Sequence, residues 1–510
     1  MQLKGSTVLI TGGTSGISLE LVKQLYGQSA DIIITGRNLD GLNDVKDRFP
    51  NIHAFQSDVS KPDDIQQLYG KVTRQFPKLN ILTMHIEAGN EQSAESKWLH
   101  GWRRTALLIT LLFVSIFSQI DRILPFILAE SIKAELRLSD TQLGLIMGMA
   151  FAVCFSIASL PLARISDTGR AKQVLFACIV IWSLMTGIGG LATGFVLLAL
   201  SRLGVALGEA GGTPASHAMI VSKIPEKFSG RAIGLFSMGI PLGTMIGFAM
   251  GGMAGDTIGW RNTLFVAGAF GLLLAVLVLF FTINNKVNRQ NYSGEESFLA
   301  AARTLLARPT FMWLFIATNF VGFASAPFYS FSAPFLIRTH GLTASQVGIS
   351  FGLLQGVMGI AGTLVGGKVF DNAVNSGSKK VMHPPAIVFG ISAITTLAAL
   401  FVPVGWLSIA LFVPGMFSFA FLLPHGFGAG HLVAGPGKQA LASGLLMLGS
   451  GLLPATVSPL LVGWISDKAT TQGIENGLRP AMVLIPIFTL FSGITCFIIS
   501  RKLSIRNCMS

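Results

Sequence analysis

The stretch Ser201-Arg-Leu-Gly-Val-Ala-Leu-Gly-Glu-Ala-Gly-Gly-Thr-Pro214 places an arginine and a glutamate inside an apolar run that covers residues 195–223. A helix of this length, rising ~1.5 Å per residue, can cross the ~30 Å hydrocarbon core of a bilayer. Charged side chains inside such a helix are costly, so Arg202 and Glu209 are expected to face protein or a cavity rather than lipid. The stretch therefore predicts a membrane protein with functional charges in its interior.

Similar apolar runs recur from about Thr105 onward. Of the 510 residues, 51% are hydrophobic and 12% are charged, too few charges for the surface of a soluble protein of this length. Short charged loops separate the runs, and each run is long enough to form a membrane-spanning helix. The twelve predicted spans lie near residues 105–132, 140–165, 173–193, 195–223, 230–254, 260–283, 310–337, 345–370, 382–402, 406–433, 440–465 and 479–500.

Lys and Arg are unevenly distributed between alternate loops. With the amino terminus inside, the predicted cytoplasmic loops and the tail carry most of the basic residues near the spans, as the positive-inside rule requires. This predicts a multi-pass protein of the cell (inner) membrane with both termini in the cytoplasm. The net charge of +13 then reflects topology and contact with anionic membrane lipids, and no nucleic acid partner is expected.

The second and eighth spans end alike. The second ends in Ala163-Arg-Ile-Ser-Asp167 and the eighth in Gly367-Lys-Val-Phe-Asp371, and basic residues follow both. Parallel repeats are a known plan of transporter folds. We therefore predict an all-α membrane fold of two six-helix bundles, residues 105–283 and 310–500, joined by a cytoplasmic loop at 284–309 and followed by a tail at 501–510.

The repeated aspartates predict a conformational latch formed by Asp167, Arg170 and Asp371 at the cytoplasmic helix ends. There a carboxylate can bind exposed helix amides or a basic side chain in one state and release them in another. Direct contact with a substrate is the less favoured interpretation.

Four charges stand out inside the predicted membrane region. On helical rise, Asp121 and Arg122 of the first span lie at about the same depth as Glu209 of the fourth span, and Arg202 lies two turns from Glu209 on the same helix face. One interpretation is a static ion-pair clasp between two helices. The favoured one is a functional cluster, because apolar packing could replace a mere clasp. Asp121 or Glu209 would then take up a proton, and Arg122 or Arg202 would hold an anionic substrate group.

Glycine repeats every fourth residue along the fifth span. Gly239, Gly243, Gly247 and Gly251 form this stripe, with Pro241 among them. Small residues at this spacing allow another helix to approach closely. Tight packing and a gating hinge are both compatible with the stripe. No metal site is predicted, because the cysteines and the span histidines show no ligand spacing.

Residues 1–92 have a different texture, and residues 93–104 are expected to link them to the spans. Short apolar strands near Thr7–Ile10, Asp31–Thr35, His53–Phe55 and Leu79–Met84 alternate with helices near Leu19–Tyr26 and Asp63–Phe76. This alternation predicts parallel βαβ units, that is, a partial α/β Rossmann-like segment.

The segment resembles the amino-terminal half of the short-chain dehydrogenases. In Thr11-Gly-Gly-Thr-Ser-Gly-Ile-Ser18, Gly12 and Gly16 match that family's phosphate loop, but the third glycine is replaced by a serine. The resemblance implies that Arg37 would contact a 2′-phosphate and Asp58 an adenine, which would give residual NADP(H) binding. The family's Asn-Asn-Ala-Gly motif is degraded to Ile86-Glu-Ala-Gly89.

The catalytic pair of that family, a tyrosine with a lysine four residues later, is missing. Ala30, Thr73, Glu296 and Ala333 stand four residues after the four tyrosines. We therefore expect no enzyme activity and no required cofactor. A vestigial or gene-fusion fragment is favoured, an NADP(H)-binding sensor is the alternative, and an NADP-dependent oxidoreductase fused to a membrane domain is a remote third.

Residues 105–500 resemble the major facilitator superfamily, especially its Spinster branch. The similarity lies in Ser118-Gln-Ile-Asp-Arg-Ile-Leu124, Pro161-Leu-Ala-Arg-Ile-Ser-Asp-Thr-Gly169, the opening stretch, and Gly239-Ile-Pro-Leu-Gly243. The resemblance implies that the four span charges lie in a central cavity. It also implies proton-coupled transport of lysophospholipids or sphingolipid phosphates, with an uptake permease for small organic or sugar acids as the alternative. Ala163 and Thr168 depart from the superfamily motif and weaken the latch assignment.

Overall fold

The computed structural model describes residues 6–14, 16–27, 31–58, 62–77, 79–83, 99, 101–282, 298–376, 380–435 and 439–502. The chain forms two compact units, Met1–Trp98 and Leu99–Ser510. The 86–89 motif, most of the predicted linker, residues 284–297 of the predicted loop, most of the tail and the side chain of Asp167 lie outside what the structure describes.

The first unit contains a four-stranded parallel sheet in the order β3-β2-β1-β4, as expected for half of a Rossmann-like fold. The core strands consist of apolar residues that are covered on both faces, as is typical of a parallel sheet. The strands are β1 Thr7–Thr11, β2 Asp31–Gly36, β3 His53–Gln56 and β4 Leu79–Thr83, and the helices are α1 Gly16–Tyr26, α2 Leu39–Arg48 and α3 Pro62–Gln75.

Helix α2 was not predicted from the sequence. Only Leu42 and Val45 of this helix are buried. Its sequence therefore has too few apolar residues to show a helical period. The helix begins after Asn38, whose side chain accepts a hydrogen bond from the Asp40 amide and so caps the first turn.

The second unit is helical and confirms the all-α membrane fold. Among the described residues, eleven helices are long and apolar enough to cross a membrane. They are Gly101–Ile127, Asp140–Ile165, Thr168–Gly190, Phe195–Lys223, Arg231–Phe281, Pro309–His340, Ala344–Asn375, His383–Phe401, Gly405–Ala434, Leu441–Thr471 and Leu478–Arg501.

The helix Arg231–Phe281 accounts for two predicted spans. Its 51 residues would extend about two and a half times the ~30 Å hydrocarbon thickness if they were straight. Gly259 breaks it, with φ 80° and ψ 160°, a conformation that residues with a Cβ rarely adopt. The fifth span therefore ends and the sixth begins at Gly259, and twelve membrane crossings result. We number the spans in chain order on this basis.

Three short helices differ from the predicted spans and loop. The predicted first span ran to residue 132, but the helix ends at Ile127 and a short helix, Ala129–Leu136, follows it. Another helix, Glu226–Ser237, overlaps the start of the fifth span, and Phe298–Leu306 lies within the loop predicted at 284–309. We call the end of the bundles that carries Ala129–Leu136 the outer end, following the charge-based orientation, and the opposite end the inner end.

The predicted glycine stripe packs against the first span, inside the first bundle. A Cβ on Gly243 would lie 2.5 Å from the Ile116 carbonyl oxygen, and one on Gly239 would lie 2.4 Å from the Ser115 side chain. Gln119 of the first span also donates to Thr244 of the fifth over 3.0 Å. The stripe therefore serves close packing within one bundle.

Other glycines make the contact between the two bundles. A Cβ on Gly348 of the eighth span would lie 2.2 Å from the Phe248 carbonyl oxygen of the fifth. At the related contact, a Cβ on Gly144 of the second span would lie 2.3 Å from the Pro459 carbonyl oxygen of the eleventh. Backbones thus touch at two equivalent places, as the parallel repeat of the halves requires.

Candidate functional site

The first and fourth spans meet through an ion pair in the interior of the first bundle. Arg122 donates from Nη2 and Nε to Glu209 Oε2 over 2.7 and 3.1 Å. The Glu209 side chain is 0% exposed, whereas that of Arg122 is 34% exposed. Arg122 is therefore the more exposed charged group of the pair.

Asp121 and Arg202 lie deeper in the same bundle. Thr186 of the third span donates its hydroxyl to Asp121 Oδ2 over 2.5 Å. Asp121 and Arg202 are 5% and 6% exposed. Asp121, Arg122, Arg202 and Glu209 interact electrostatically and carry no net charge when all are ionised, which makes their burial tolerable.

Aromatic rings cover the arginines. The guanidinium of Arg122 lies 4.7 Å from the ring centroid of Phe151 and 5.2 Å from that of Phe155, and Arg202 lies 5.7 Å from Phe151. The two rings stack on each other with centroids 5.7 Å apart. A cation held against aromatic faces keeps its charge while little water solvates it. Sequence reasoning missed both rings, because single phenylalanines in an apolar helix carry no distinguishing signal.

This arrangement can exchange one anion for another at Arg122. One oxygen of Glu209 holds Arg122, and its other oxygen, Oε1, is buried without a hydrogen-bond partner among the described residues. If Glu209 were neutral, it would attract Arg122 less strongly. An anion that reached the exposed side of Arg122 could then replace it.

A second charged cluster joins the two bundles at the outer end, and sequence reasoning did not find it. Arg338 of the seventh span donates to both oxygens of Asp140 over 2.8 and 2.9 Å and to Glu130 over 2.7 Å. Lys133 pairs with Asp140, and Ser466 of the eleventh span donates to it over 2.6 Å. The Asp140 side chain is 2% exposed, so both cations are needed to keep it charged and buried.

Two aspartates bind helix amino termini across the bundle interface. Asp467 of the eleventh span accepts from the Asp140 and Thr141 amides over 2.9 and 2.8 Å, and from the Thr141 hydroxyl. Asp256 of the fifth span accepts from the Ser345 amide over 2.7 Å. Exposed amides at a helix start favour a carboxylate. We call these two contacts the twin caps.

A signal for the twin caps exists in the sequence. The capping boxes Ser139/Gln142 and Thr343/Gln346 open the second and eighth spans. In each span, two glycines spaced four apart follow the capping box. A search for internal repeats at both span starts would have located this interface.

The residues of the predicted latch lie at the inner end. Arg170 and Asp371 are exposed. Neither forms a hydrogen bond or ion pair with any residue in the described ranges. The side chain of Asp167 lies outside the description. The latch assignment stays a prediction.

In the first unit, Gly12 has φ 71°, and Gly13 has no room for a side chain because a Cβ would lie 2.7 Å from Ile34. Ser18, at the position of the third glycine, is buried and donates to the Thr11 carbonyl over 3.3 Å. The interior of the first unit therefore accommodates the Ser18 side chain.

The remaining predicted cofactor residues lie near the carboxyl ends of the strands. Gly16 begins helix α1, the Arg37 carbonyl accepts from the Gln56 side chain, and the Asp58 amide donates to Asp64. The described ranges contain no group of His, Cys, Asp and Glu that could hold a metal ion.

Comparison with known proteins finds two families along the chain, and their matches overlap at residues 108–132. The sequence pattern of the Major Facilitator Superfamily matches residues 108–459, and that of the short chain dehydrogenases matches residues 6–132. An MFS-type efflux pump of Mycolicibacterium smegmatis is 29% identical over 409 residues, 78% of this chain and 93% of the pump. A hexuronate transporter of Bacillus subtilis is 27% identical over 286 residues, 54% of this chain and 66% of that protein.

Solved structures of known transporters are also similar to this chain. A bacterial homologue of the human lysosomal transporter Spinster, crystallised in inward-facing unoccupied and occupied conformations, superposes with TM-scores of 0.72 and 0.71 at 26% identity, covering 79% of this chain and 98% of the homologue. The nucleoside transporter NupG superposes with a TM-score of 0.61 at 14% identity, which concerns the fold alone.

Proposed function

The chain belongs to the major facilitator superfamily and is Spinster-like, and from this premise we propose that it is a proton-linked secondary transporter of an amphipathic anion. The substrate is a lysophospholipid or a sphingolipid phosphate, and the two six-helix bundles carry it by alternating access. The observation that supports this proposal most directly is the ion pair between half-exposed Arg122 and fully buried Glu209.

In the proposed cycle, Asp121 and Glu209 carry the proton and Arg122 binds the anion. When Glu209 takes up a proton, its attraction for Arg122 weakens, and a phosphate group of the substrate replaces it. Phe151 and Phe155 lie against Arg122 and offer apolar surface to the hydrocarbon chain next to the headgroup. Release of the substrate restores the ion pair and returns the proton.

The charged cluster around Asp140 at the outer end supports an inward-facing conformation in this cycle. Hydrogen bonds and ion pairs from Arg338 and Asp467 join the bundles at the outer end. Arg170 and Asp371 at the inner end bind no described residue. This is the pattern expected of an inward-facing carrier whose outer side is closed, and the similarity to an inward-facing Spinster homologue supports it.

Uptake of small organic or sugar acids is the second candidate. The similarity to a hexuronate transporter supports an anionic substrate of this kind. A sugar acid would need hydrogen-bonding groups around its hydroxyls, whereas Arg122 is flanked by two phenylalanine rings. The amphipathic anion therefore fits the site better.

The first unit takes no part in the proposed cycle. Without the tyrosine–lysine pair it cannot transfer the proton that accompanies hydride chemistry in the family it resembles. We expect no required cofactor, with residual NADP(H) binding as the alternative.

Transport by the purified full chain in proteoliposomes tests the proposal. With an inward proton gradient, we expect the protein to move 1-oleoyl lysophosphatidylglycerol and to acidify the lumen in step, and not to move glucuronate. Glucuronate flux without lysolipid flux would establish the second candidate. A thermal-shift comparison of lysolipids, sphingoid phosphates and organic acids provides an independent ranking, because a ligand of the folded state raises the unfolding temperature.

A further inference from the structure

A partly open cavity lies inside the first bundle, between the buried charges and the outer end. Thr186, Ser201 and Arg202 line its inner part, and Ile132, Leu143 and Leu264 line its outer part. The centre of a water molecule can occupy about 20 Å³ of it. That is enough for about one or two water molecules.

The inner part of this cavity offers hydrogen-bonding groups to water. Arg202 is 94% buried, and its Nε has no partner among the described residues. The Thr186 and Ser201 hydroxyls donate to Asp121 and to the Leu198 carbonyl, so each oxygen can still accept. A water molecule here finds one donor and two acceptors, which meets its usual requirement.

We propose that Thr186 relays protons between water in this cavity and Asp121, and that this route serves the outer side. A protonated water in the cavity gives its extra proton to Thr186 Oγ1 while the existing hydroxyl proton moves to Asp121 Oδ2, 2.5 Å away, and neutral water remains. The reverse step returns it, so no other reactant is consumed. The inference rests on the proposed proton-linked function and assigns its outer proton path.

The surrounding charges suit a relay through a hydroxyl better than an open water column. Arg202 and Glu209 of the fourth span and Arg122 of the first span face Asp121. Arg202 beside the cavity disfavours a long-lived hydronium ion there, so a proton that enters passes on to Thr186, and the apolar outer part limits leakage. Protonation of Asp121 leaves the four-charge cluster with a net positive charge, which favours an anion at Arg122.

The full chain in proteoliposomes tests the relay without any knowledge of the substrate. The carboxylic acid C=O stretch of Asp121, identified by its loss in Asp121→Asn, reports protonation after the outer face is acidified. We expect Thr186→Val, which has the same shape but no hydroxyl, to slow this protonation ~100-fold. Thr186→Ser, which keeps the hydroxyl, is expected to retain the wild-type rate.

The outcomes separate the two proposals. A merely structural role for Thr186 would shift the midpoint of the Asp121 titration and leave its rate unchanged, and this result would overturn the relay alone. If the Asp121 band did not change with pH in the unsubstituted protein, Asp121 would carry no proton and the relay would fail, whereas the proton-linked function would fail only if proton-driven flux were absent as well.

A matched glycine pair tests the cavity itself. A Cβ on Gly189 would lie 3.1 Å from Ser201 Oγ and 3.6 Å from Leu264 Cδ1, so Gly189→Ala reduces the water space. Gly187 on the same helix has no atom within 4 Å of such a Cβ. We expect slower Asp121 protonation in Gly189→Ala and the wild-type rate in Gly187→Ala. Equal rates in both variants would remove the cavity as the route.

Discussion

At the scale of single residues, the protein uses two kinds of buried carboxylate. Asp140 is buried beside two cations and a hydroxyl, so its charge is fully satisfied. Glu209 is equally buried, but among the described residues it pairs directly with one cation, Arg122, and its Oε1 has no hydrogen-bond partner. A satisfied buried charge stabilises one conformation, whereas an unsatisfied one can change its protonation state. We therefore propose that Asp140 helps to keep the outer end closed and that Glu209 couples transport to protons.

Glu209→Gln should abolish proton-driven uptake of lysophosphatidylglycerol in proteoliposomes while the protein still folds. The amide keeps the shape of the side chain but cannot exchange a proton, and its attraction for Arg122 is weaker. Flux driven by a proton gradient is the measurement, and elution from a sizing column checks the fold. Undiminished gradient-driven flux would exclude Glu209 as the proton carrier.

The carboxylate of Glu135, on the short helix Ala129–Leu136, is expected to make the stability of the folded protein slightly dependent on pH. Arg261 and Trp260 donate to its carboxylate over 2.9 and 2.6 Å and hold its pKa below the usual value for glutamate. Because the folded-state pKa is lowered, its contribution is complete above the unfolded-state pKa of ~4.3 and is lost as the pH falls through the folded-state value.

The Glu135→Gln variant should therefore unfold at a lower temperature than the unsubstituted protein at neutral pH, with the difference shrinking in acid. The effect is expected to be small because half of the side chain is exposed. Unfolding temperatures in detergent across the acidic range measure it. Glu475→Gln, at an exposed glutamate, is the control, and a difference that grew in acid would contradict the assignment.

At the scale of elements, glycines decide which helices approach most closely. The stripe from Gly239 to Gly251 fixes the fifth span to the first, within one bundle. Gly348 and Gly144 instead permit backbone contact between bundles, at the surfaces that must separate during alternating access. Substitution of the two kinds of glycine should have different consequences.

Gly348→Ala should open the outer end. Its Cβ would lie 2.2 Å from the Phe248 carbonyl, and relief requires the eighth and fifth spans to move apart, at a cost of ~1–3 kcal/mol to the closed state. Distances between spin labels on the outer ends of the two bundles measure the change. Gly359→Ala, on the same helix with open space around it, should keep the closed distance, and equal distances in both variants would contradict this role.

Asp467→Asn should weaken the closed state more than Asp256→Asn does. Asp467 accepts from two amides and a hydroxyl, whereas Asp256 is exposed and accepts from one amide. Loss of hydrogen bonds to a charged group costs ~1.5–3 kcal/mol. The same spin-label distances compare the variants. A larger change of distance in Asp256→Asn would show that the number of hydrogen bonds does not decide how much each of the twin caps stabilises the closed state.

At the scale of the whole molecule, the chain combines a carrier with a partial nucleotide-fold segment. The second unit, Leu99–Ser510, contains all the spans and both charged clusters. The superfamily match at residues 108–459 lies entirely within this unit. Nothing in the proposed cycle requires the first unit.

A protein that begins at Leu99 should transport lysophosphatidylglycerol at about the rate of the full chain. The measurement is proton-driven flux per molecule of reconstituted protein. In the full chain, NADP(H)-dependent turnover that disappears in a Gly12 variant would instead show that the first unit retains an activity. Loss of flux on truncation, with the fold intact, would show that the first unit supports transport.

The sequence by itself determined the membrane class, the number of crossings and the four charges of the first bundle. These follow from local quantities: the length of apolar runs, the cost of a charge in hydrocarbon and the spacing along one helix. Only the tertiary structure decided that Arg122 pairs with Glu209, that Thr186 holds Asp121 and that Arg338 and Asp467 close the outer end. Each of these contacts joins residues far apart in the chain, and no periodicity encodes which helix faces which. Which of these contacts form depends on how whole helices pack against each other. Glycines control that packing because they let helix backbones touch.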